Sequence, residues 1–475
     1  MYSEVTHQNR QFSGTAGTRF ASPGVVCLSL VWLFLIDLIA GCTGPLSVPT
    51  ATVTPTAFPT STATTTPSPT LTATWTPSPP TPTPDIPEPE RPLLMAHYMP
   101  WYQTPSVTGY WGWHWTMNHF DPSRKDERGR PDIASYYLPL TGPYDSRDDA
   151  LLEYQVLLMR LSGIDGVIVD WYGMEDFWDY AVLNAATNKL FAYVKKAGLR
   201  FAICYEDQSI KHMVDNKHLS VKDAYDHGQK VMRYLQDTWF QDEAYLKVLG
   251  RPVLFTFGPQ YFKSAADWDR LFSGLDVAPA LITLDGHTES AGLSSYPWPP
   301  MWAGKNGVLD QKTLIDYLNS FYKKAARWDY VVAGAFPGFK DIYKEAGVST
   351  EARYLDPLDG ETFRLTMQIA LDQKPDVIQL ITWNDYGEST SIEPTEEWGY
   401  RYLEMVQEVR RATDPAGFGF EADDLRLPLR LFALRRKYAN DVMVNARLDR
   451  VFESVLAGDF DLARSILDEY PVQSD

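Results

Sequence analysis

The chain is poor in cysteine and in positive charge, and both shortages limit what it can do. Its 475 residues include three cysteines without the spacing of a zinc site, so a disulfide framework and a zinc finger are excluded. Only 43 Lys and Arg residues oppose 61 Asp and Glu residues, and the net charge of −18 disfavours nucleic acid or an anionic membrane surface as a partner. The first predicted strand also lacks a following Gly-rich phosphate-binding turn.

A hydrophobic run long enough for a confident membrane span is missing as well. Residues 25–36 are apolar, but they fall short of the roughly 20 residues that a spanning helix needs. The segment LIAGC that follows, ending at Cys42, resembles the bacterial lipobox, in which a cysteine after small residues is lipidated. We therefore predict a signal peptide over residues 1–42, lipidation of Cys42, and a secreted lipoprotein on the bacterial cell surface. A signal-anchor or a buried helix is the alternative, because Asp37 interrupts the apolar region.

Residues 43–91 consist almost entirely of Thr, Pro, Ser and Ala. Such a composition cannot bury apolar area, so it predicts an extended, disordered linker. At the rise of a polyproline II helix it could reach on the order of 150 Å. A lipid anchor followed by a stiff stalk would tether the protein, with the lipid as its only contact with the membrane.

The rest of the chain alternates predicted strands and helices. Strands are predicted at residues 93–99, 166–171, 200–205, 252–257, 280–285, 297–302, 330–336 and 376–382, the sixth weakened by prolines. Helices are predicted at residues 150–162, 180–197, 223–237, 265–273, 311–326 and 360–372. This order predicts an α/β fold, a (β/α)8 TIM barrel over residues 92–415, with an open doubly wound sheet as the alternative. Residues 416–475 are predicted to form a small helical extension with a turn near Gly458.

The predicted strand ends are rich in acids and aromatic residues. In a parallel barrel, catalytic and binding groups collect at the C-terminal ends of the strands. The chain holds 15 Trp and 27 Tyr residues, and flat rings can stack on sugars, although they also serve as core. We predict that the substrate contacts Tyr98, Trp101, Asp170, Trp171, Tyr205, Glu206, Trp302, Trp383 and Asn384. Singly, a Trp at the rim more often packs under a loop and an Asp more often caps a helix.

Two acids three residues apart follow the last predicted strand, in the motif WNDYGE at residues 383–388. Carboxyl groups held close together at a strand end suit general acid/base chemistry on a glycosidic bond. Asp385 and Glu388 are therefore the predicted catalytic pair. The alternative is a solvated acidic turn.

Three segments together resemble the bacterial glycoside hydrolase family 71/99-like proteins. These segments are MAHYMPWY from Met95, GPYDS from Gly142 and GIDGVIVDWYG from Gly163, and the motif WNDYGESTSIEP from Trp383 fits the same group. The resemblance covers about residues 92–412. Family 99 comprises endo-α-mannosidases and endo-α-mannanases, and family 71 comprises α-1,3-glucanases, so the resemblance implies hydrolysis of an α-linked glycan.

The resemblance also implies roles for the two acids. In family 99 both are Glu, and they match Asp385 and Glu388. The Asp resembles the α-1,3-glucanase version of the motif, whereas the opening segment at Tyr98 resembles family 99. No metal or organic cofactor is implied, because carboxylates suffice for the reaction.

These features together predict a surface-tethered, monomeric glycoside hydrolase. It would cleave an α-mannan or α-glucan polysaccharide or oligosaccharide, in endo fashion and with retention. The alternatives are a non-catalytic carbohydrate-binding lipoprotein on the same barrel and a glycan-remodelling enzyme of polysaccharide biosynthesis. The pair Asp385 and Glu388 favours the hydrolase, because a protein that only binds sugar does not need two adjacent acids.

Overall fold

Eight parallel strands form the centre of the molecule. The computed structural model describes residues 91–285 and 292–470, which belong to one compact unit. The strands are β1 (Leu93–Tyr98), β2 (Gly166–Trp171), β3 (Arg200–Tyr205), β4 (Arg251–Thr256), β5 (Ala280–Leu284), β6 (Ser294–Tyr296), β7 (Val332–Ala335) and β8 (Val377–Leu380). They pair in the order β6-β5-β4-β3-β2-β1-β8-β7. Ser294 Oγ donates to the carbonyl oxygen of Tyr330 at 2.6 Å, next to the remaining seam between β6 and β7.

Helices alternate with these strands and cover the barrel. They are α1 (Trp113–Thr116), α2 (Asp149–Ser162), α3 (Tyr180–Lys196), α4 (Gln208–Asp215), α5 (Ala224–Leu235), α6 (Ala265–Phe272), α7 (Gln311–Ala325), α8 (Glu361–Leu371), α9 (Arg401–Thr413), α10 (Leu427–Lys437), α11 (Val442–Ala457) and α12 (Phe460–Asp468). The predicted (β/α)8 TIM barrel is thus confirmed. No described helix is long and apolar enough to cross a membrane.

Local sequence explains where the second helix begins and ends. Asp148 caps α2, because its carboxylate accepts from the backbone N–H groups of Ala150 and Leu151 at 2.9 and 3.3 Å. Gly163 ends the helix with a φ of 83°, a left-handed conformation that glycine adopts without strain. All six residues of β2, which follows, are buried. A continuous buried run of this kind is typical of a parallel strand covered on both faces.

The C-terminal helices α10 to α12 pack on the barrel through α2. The guanidinium of Arg435 donates from Nε and Nη2 to the two carboxylate oxygens of Glu153, each at 2.9 Å. Phe432 adds an aromatic contact with Tyr154, with ring centroids 5.9 Å apart. Gly458, with a φ of 76°, ends α11 at the predicted turn.

The sixth strand lies before its predicted position. The structure has a strand at Ser294–Tyr296, whereas the predicted segment 297–302 contains three prolines and a short 3-10 turn, Met301–Ala303. Proline has no N–H to donate to a neighbouring strand, so the pairing ends where the prolines begin. The signal peptide, the linker and Cys42 lie outside the described residues.

Candidate active site

Asp385 and Glu388 lie on a tight loop at the C-terminal end of β8. The backbone N–H of Asp385 donates to Thr382 Oγ1 at 2.8 Å, and the N–H of Glu388 donates to Asp385 Oδ1 at 3.0 Å. Asp385 is 5% exposed and Glu388 is half-buried. The structure therefore contradicts a fully solvated acidic turn and brings the two predicted catalytic acids together.

A hairpin in the long connection between β7 and α8 supports this loop from outside. Its strands are Phe339–Lys340 and Tyr354–Leu355, and the N–H of Lys340 donates to the carbonyl oxygen of Glu388 at 2.9 Å. Tyr343 Oη lies 3.4 Å from Glu388 Oε1. Sequence reasoning missed this hairpin, because the connection has no strong hydrophobic periodicity.

Burial raises the pKa of both acids. It raises the pKa of Asp385 to about 7, against the lowering effect of the N–H groups of Glu388 and Gly387. Burial and the charge of Asp385 raise the pKa of Glu388 to about 8, although the Arg353 guanidinium acts in the opposite direction. Arg353 is held in place by Asp341, with Nε and Oδ2 2.7 Å apart. A pair with raised pKa values near neutrality can share one proton, as general acid/base chemistry requires.

A buried carboxylate, Glu393, anchors the same loop from inside. Its side chain is 1% exposed and accepts hydrogen bonds from Gln155 Nε2 at 2.7 Å, Tyr144 Oη at 2.7 Å and Tyr386 Oη at 2.6 Å. Tyr144 Oη in turn accepts from Asn384 Nδ2 at 3.0 Å. The segment that carries the predicted catalytic acids is therefore held by a hydrogen-bond network as well as by packing.

A second pair of acids consists of Asp170, near the end of β2, and Glu206, directly after β3. Asp170 is 2% exposed, and burial, followed by the charge of Glu206, raises its pKa. Burial also raises the pKa of Glu206, to about 7. The Glu206 side chain borders a cleft whose other walls include Tyr172, Trp178 and Tyr180. Acids beside aromatic rings are suited to binding a sugar. A contact of Asp170 or Glu206 with substrate stays a prediction.

Two other predicted contacts, Trp101 and Trp302, differ in their surroundings. Trp101 is 7% exposed and stacks on His114, with centroids 4.0 Å apart and planes inclined by 5°. Trp302 is 71% exposed, and its ring touches only the edge of Tyr317 among the described aromatic rings. Trp298, which lies near Trp302 in the chain, packs edge-on against His97, with ring centroids 5.0 Å apart. A role of Trp101 or Trp302 in stacking on sugar stays a prediction.

The remaining five predicted contacts have side chains with 0% exposure, and their contact with substrate stays a prediction. They are Tyr98, Trp171, Tyr205, Trp383 and Asn384. Tyr98 Oη donates to Gln155 on α2 at 2.7 Å, so it points out of the barrel. The Trp171 indole donates to Asn184 at 3.1 Å and packs against the neighbouring ring of Tyr205.

The two predicted contacts that follow β8 are also buried. Asn384 is buried against the first strand's end, where its Oδ1 accepts from the N–H of Met99 at 2.8 Å. Trp383 is buried beside it, and its N–H continues the sheet by donating to the carbonyl oxygen of His97 at 2.7 Å. Both residues hold the loop in place through these hydrogen bonds, and a contact of either with substrate stays a prediction.

Part of the chain is similar to a known protein family. Residues 91–277 match the family described as glycosyl hydrolase family 99, and this match ends before the loop that carries Asp385. The glycoprotein endo-alpha-1,2-mannosidase-like protein of Homo sapiens is 22% identical over 339 residues, which span 63% of this chain and 68% of that protein. The glycoprotein endo-alpha-1,2-mannosidase of Mus musculus is 23% identical over 324 residues, or 63% and 67% of the two chains.

Solved structures give a further similarity. The endo-alpha-mannosidase of family 99 from Bacteroides thetaiotaomicron has a TM-score of 0.49 and 18% sequence identity. The alignment covers 68% of this chain and 98% of that protein.

Proposed function

Since this chain is a glycoside hydrolase of the family 99 type, we propose that it cleaves internal α-linked mannose bonds in a mannose-containing oligosaccharide or polysaccharide. The observation that carries the proposal is the buried pair of Asp385 and Glu388 at the end of β8, with pKa values raised towards neutrality. The substrate class rests on the names of two relatives, one named a glycoprotein endo-alpha-1,2-mannosidase and the other a protein like it.

In this proposal Glu388 is the general acid. Because the pKa of Glu388 is raised, the group keeps its proton near neutral pH and can donate it to the leaving glycosidic oxygen. Asp385 then acts on the same sugar, either as a base on the 2-hydroxyl or as a nucleophile at the anomeric carbon. A water molecule completes the hydrolysis with net retention. The side chain of Asp385 is one methylene shorter than that of the Glu in family 99, so its carboxylate lies further back. Direct attack on the anomeric carbon is therefore an alternative to deprotonation of the 2-hydroxyl.

An α-glucan is the second candidate substrate, and one observation favours it. Asp at position 385 resembles the α-1,3-glucanase version of the motif. A comparison of α-mannan and α-1,3-glucan oligosaccharides, with products separated by chromatography, distinguishes the two. We expect internal cleavage of the mannan by the full-length protein and none by a variant in which both Asp385→Asn and Glu388→Gln are present. Cleavage of the glucan alone would reassign the substrate, and products of equal amount from the double variant would contradict the assigned pair.

Substitution Trp302→Ala is expected to weaken oligosaccharide binding about tenfold. The indole is exposed, so a sugar ring can reach its face. Stacking on a sugar ring contributes about 1 to 2 kcal/mol to binding, by analogy with aromatic pairs. Isothermal titration of an inactive Glu388→Gln background measures the change. Met443→Ala, at a side chain with 79% exposure in the helical extension, is the control and should leave the affinity unchanged. Equal affinities of the two variants would remove Trp302 from the binding surface.

We further propose that Cys42 carries a lipid and that residues 43–91 tether the hydrolase to the cell surface. The support is the small-residue run before Cys42 and the Thr/Pro-rich composition after it. Cys42→Ser is expected to move the protein from the membrane fraction into the medium or to leave an unprocessed precursor. The matched control is Cys27→Ser, which should stay in the membrane fraction. Mass spectrometry that finds a mature N-terminus elsewhere, without a lipid, would disprove the anchor.

A further inference from the structure

Three side chains of types that can bind a metal ion lie close together inside the mouth of the barrel. His97, Asp170 and Cys204 are the next-to-last residues of β1, β2 and β3. Side chains alternate along a strand, so these three point inward while the last residue of each strand points outward. Asp170 and Cys204 are direct partners in the register of β2 and β3. One ligand atom from each of the three residues lies within 4.8 Å of the other two.

Two atoms of this cluster lack a partner. His97 and Asp170 are 1% and 2% exposed, yet His97 Nε2 and Asp170 Oδ1 form no hydrogen bond with any described group. A buried polar atom without a partner costs about 1 to 3 kcal/mol, so native proteins rarely leave two side by side. Among the residues that the structure describes, no Lys or Arg forms an ion pair with Asp170. A bound cation would give both atoms a partner.

The kinds of ligand select the kind of cation. Imidazole, thiolate and carboxylate together suit Zn²⁺, whereas Ca²⁺ and Mg²⁺ prefer oxygen ligands alone. The ligand atoms around tetrahedral zinc lie about 3.5 Å apart, so small side-chain rotations would close the present spacing. Trp298 packs edge-on over His97 at 5.0 Å and shields the cluster.

The surroundings of His97 also suit a metal ligand. The side-chain amide of Gln379 lies 2.7 Å from His97 Nδ1. With its oxygen turned towards Nδ1–H, this amide would direct the lone pair of Nε2 at the cluster, as the groups behind histidine ligands do.

We propose that His97, Asp170 and Cys204 bind a divalent cation of the zinc class, through Nε2, a carboxylate oxygen and Sγ. Cys204 binds as the thiolate, and its proton leaves to the solvent. The proposed ligands lie on β1 to β3, beside the loop after β8 that carries Asp385, and the test of metal binding does not require hydrolysis. This proposal differs from the prediction made from the sequence, which was that the protein binds no metal. That prediction rested on the sufficiency of carboxylates for the reaction and on the lack of zinc-type spacing among the cysteines.

Co²⁺ is the probe, because it replaces zinc and its thiolate complexes absorb light. Chelator-treated full-length protein is expected to bind one Co²⁺ per chain with a thiolate charge-transfer band, and an equivalent of Zn²⁺ should abolish the band. Cys204→Ser should lose the band, whereas a Cys27→Ser and Cys42→Ser double variant should keep it. His97→Gln and Asp170→Asn should each weaken binding at least tenfold, with the exposed His119→Gln as their control.

Thermal unfolding shows whether each variant is folded. Zn²⁺ should raise the Tm of the wild-type chain and of the control variants, because a ligand that binds only the folded state stabilises it. Cys204→Ala replaces Cys204→Ser if the serine variant does not fold. The proposal is overturned if the wild-type chain shows no thiolate band, or if the band persists in a folded Cys204 variant. Hydrolysis can succeed or fail independently of either result.

Discussion

Glu388→Gln is expected to lower the turnover of a confirmed α-linked substrate by a factor on the order of 100 or more, the range of general acid/base catalysis. The amide keeps the size of the side chain but cannot donate a proton to the leaving oxygen. Asp385→Asn should cause a similar loss, because the amide cannot accept a proton or attack carbon. Steady-state kinetics on purified variants measures both effects. Near-wild-type turnover of either variant would contradict the catalytic role proposed for that residue.

A substrate with a leaving group that needs no protonation separates the two roles. We expect such a substrate to restore much of the activity of Glu388→Gln and little of that of Asp385→Asn. The exposed Glu396, in the same segment, supplies a matched control, and Glu396→Gln should keep full turnover. Rescue of Asp385→Asn alone would exchange the two roles.

The pH profile tests the same assignment. Glu388 must be protonated and Asp385 ionised, and the two pKa values are raised to about 8 and about 7. Activity should therefore rise towards neutral pH as Asp385 loses its proton and fall again as Glu388 loses its own. The alkaline fall should disappear in the residual activity of Glu388→Gln. An optimum near pH 4 would contradict the raised values.

Glu393→Ala is expected to lower the free energy of unfolding by about 3 kcal/mol or more. The change leaves Gln155, Tyr144 and Tyr386 as buried donors without an acceptor, and each such loss costs about 1 to 3 kcal/mol. Chemical denaturation measures the effect. The exposed Glu396→Ala is the control and should stay within about 0.5 kcal/mol of the wild-type chain. A stable Glu393→Ala would mean that the network does not anchor the catalytic loop.

Glu393→Gln gives a subtler test through pH. Burial raises the pKa of Glu393 from 4.5 to about 7, so the folded chain binds this proton more tightly than the unfolded chain does. Between these two values, the contribution of Glu393 therefore makes the wild-type chain less stable as pH rises. Relative to the wild-type chain, Glu393→Gln should become progressively more favourable from about pH 4.5 to pH 7. A difference that does not change with pH would show that Glu393 keeps an ordinary pKa in the fold.

The barrel could be predicted from the sequence, and the candidate catalytic pair could be located in it, because the signals of both are local. Buried strands are continuous apolar runs, so β2 and β3 were predicted with the bounds that the structure has. Asp385 and Glu388 follow such a run directly, and the C-terminal end of a barrel strand is where function collects. The same local signal failed for β6, where prolines and serines replace the usual apolar residues.

Only the tertiary structure decided which residues at the strand ends face the site. A shift of one residue along a strand reverses the direction of the side chain, and an apolar run buried on both faces does not show which direction is inward. Trp171 was therefore predicted to contact substrate, although it packs outward, while its neighbour Asp170 points in. Cys204 was dismissed for its spacing in the chain, yet the register of β2 and β3 places it beside Asp170. The sequence by itself determined the fold and the candidate catalytic pair, because both depend on residues that are neighbours in the chain. Only the tertiary structure brought distant residues such as Cys204 and His97 together.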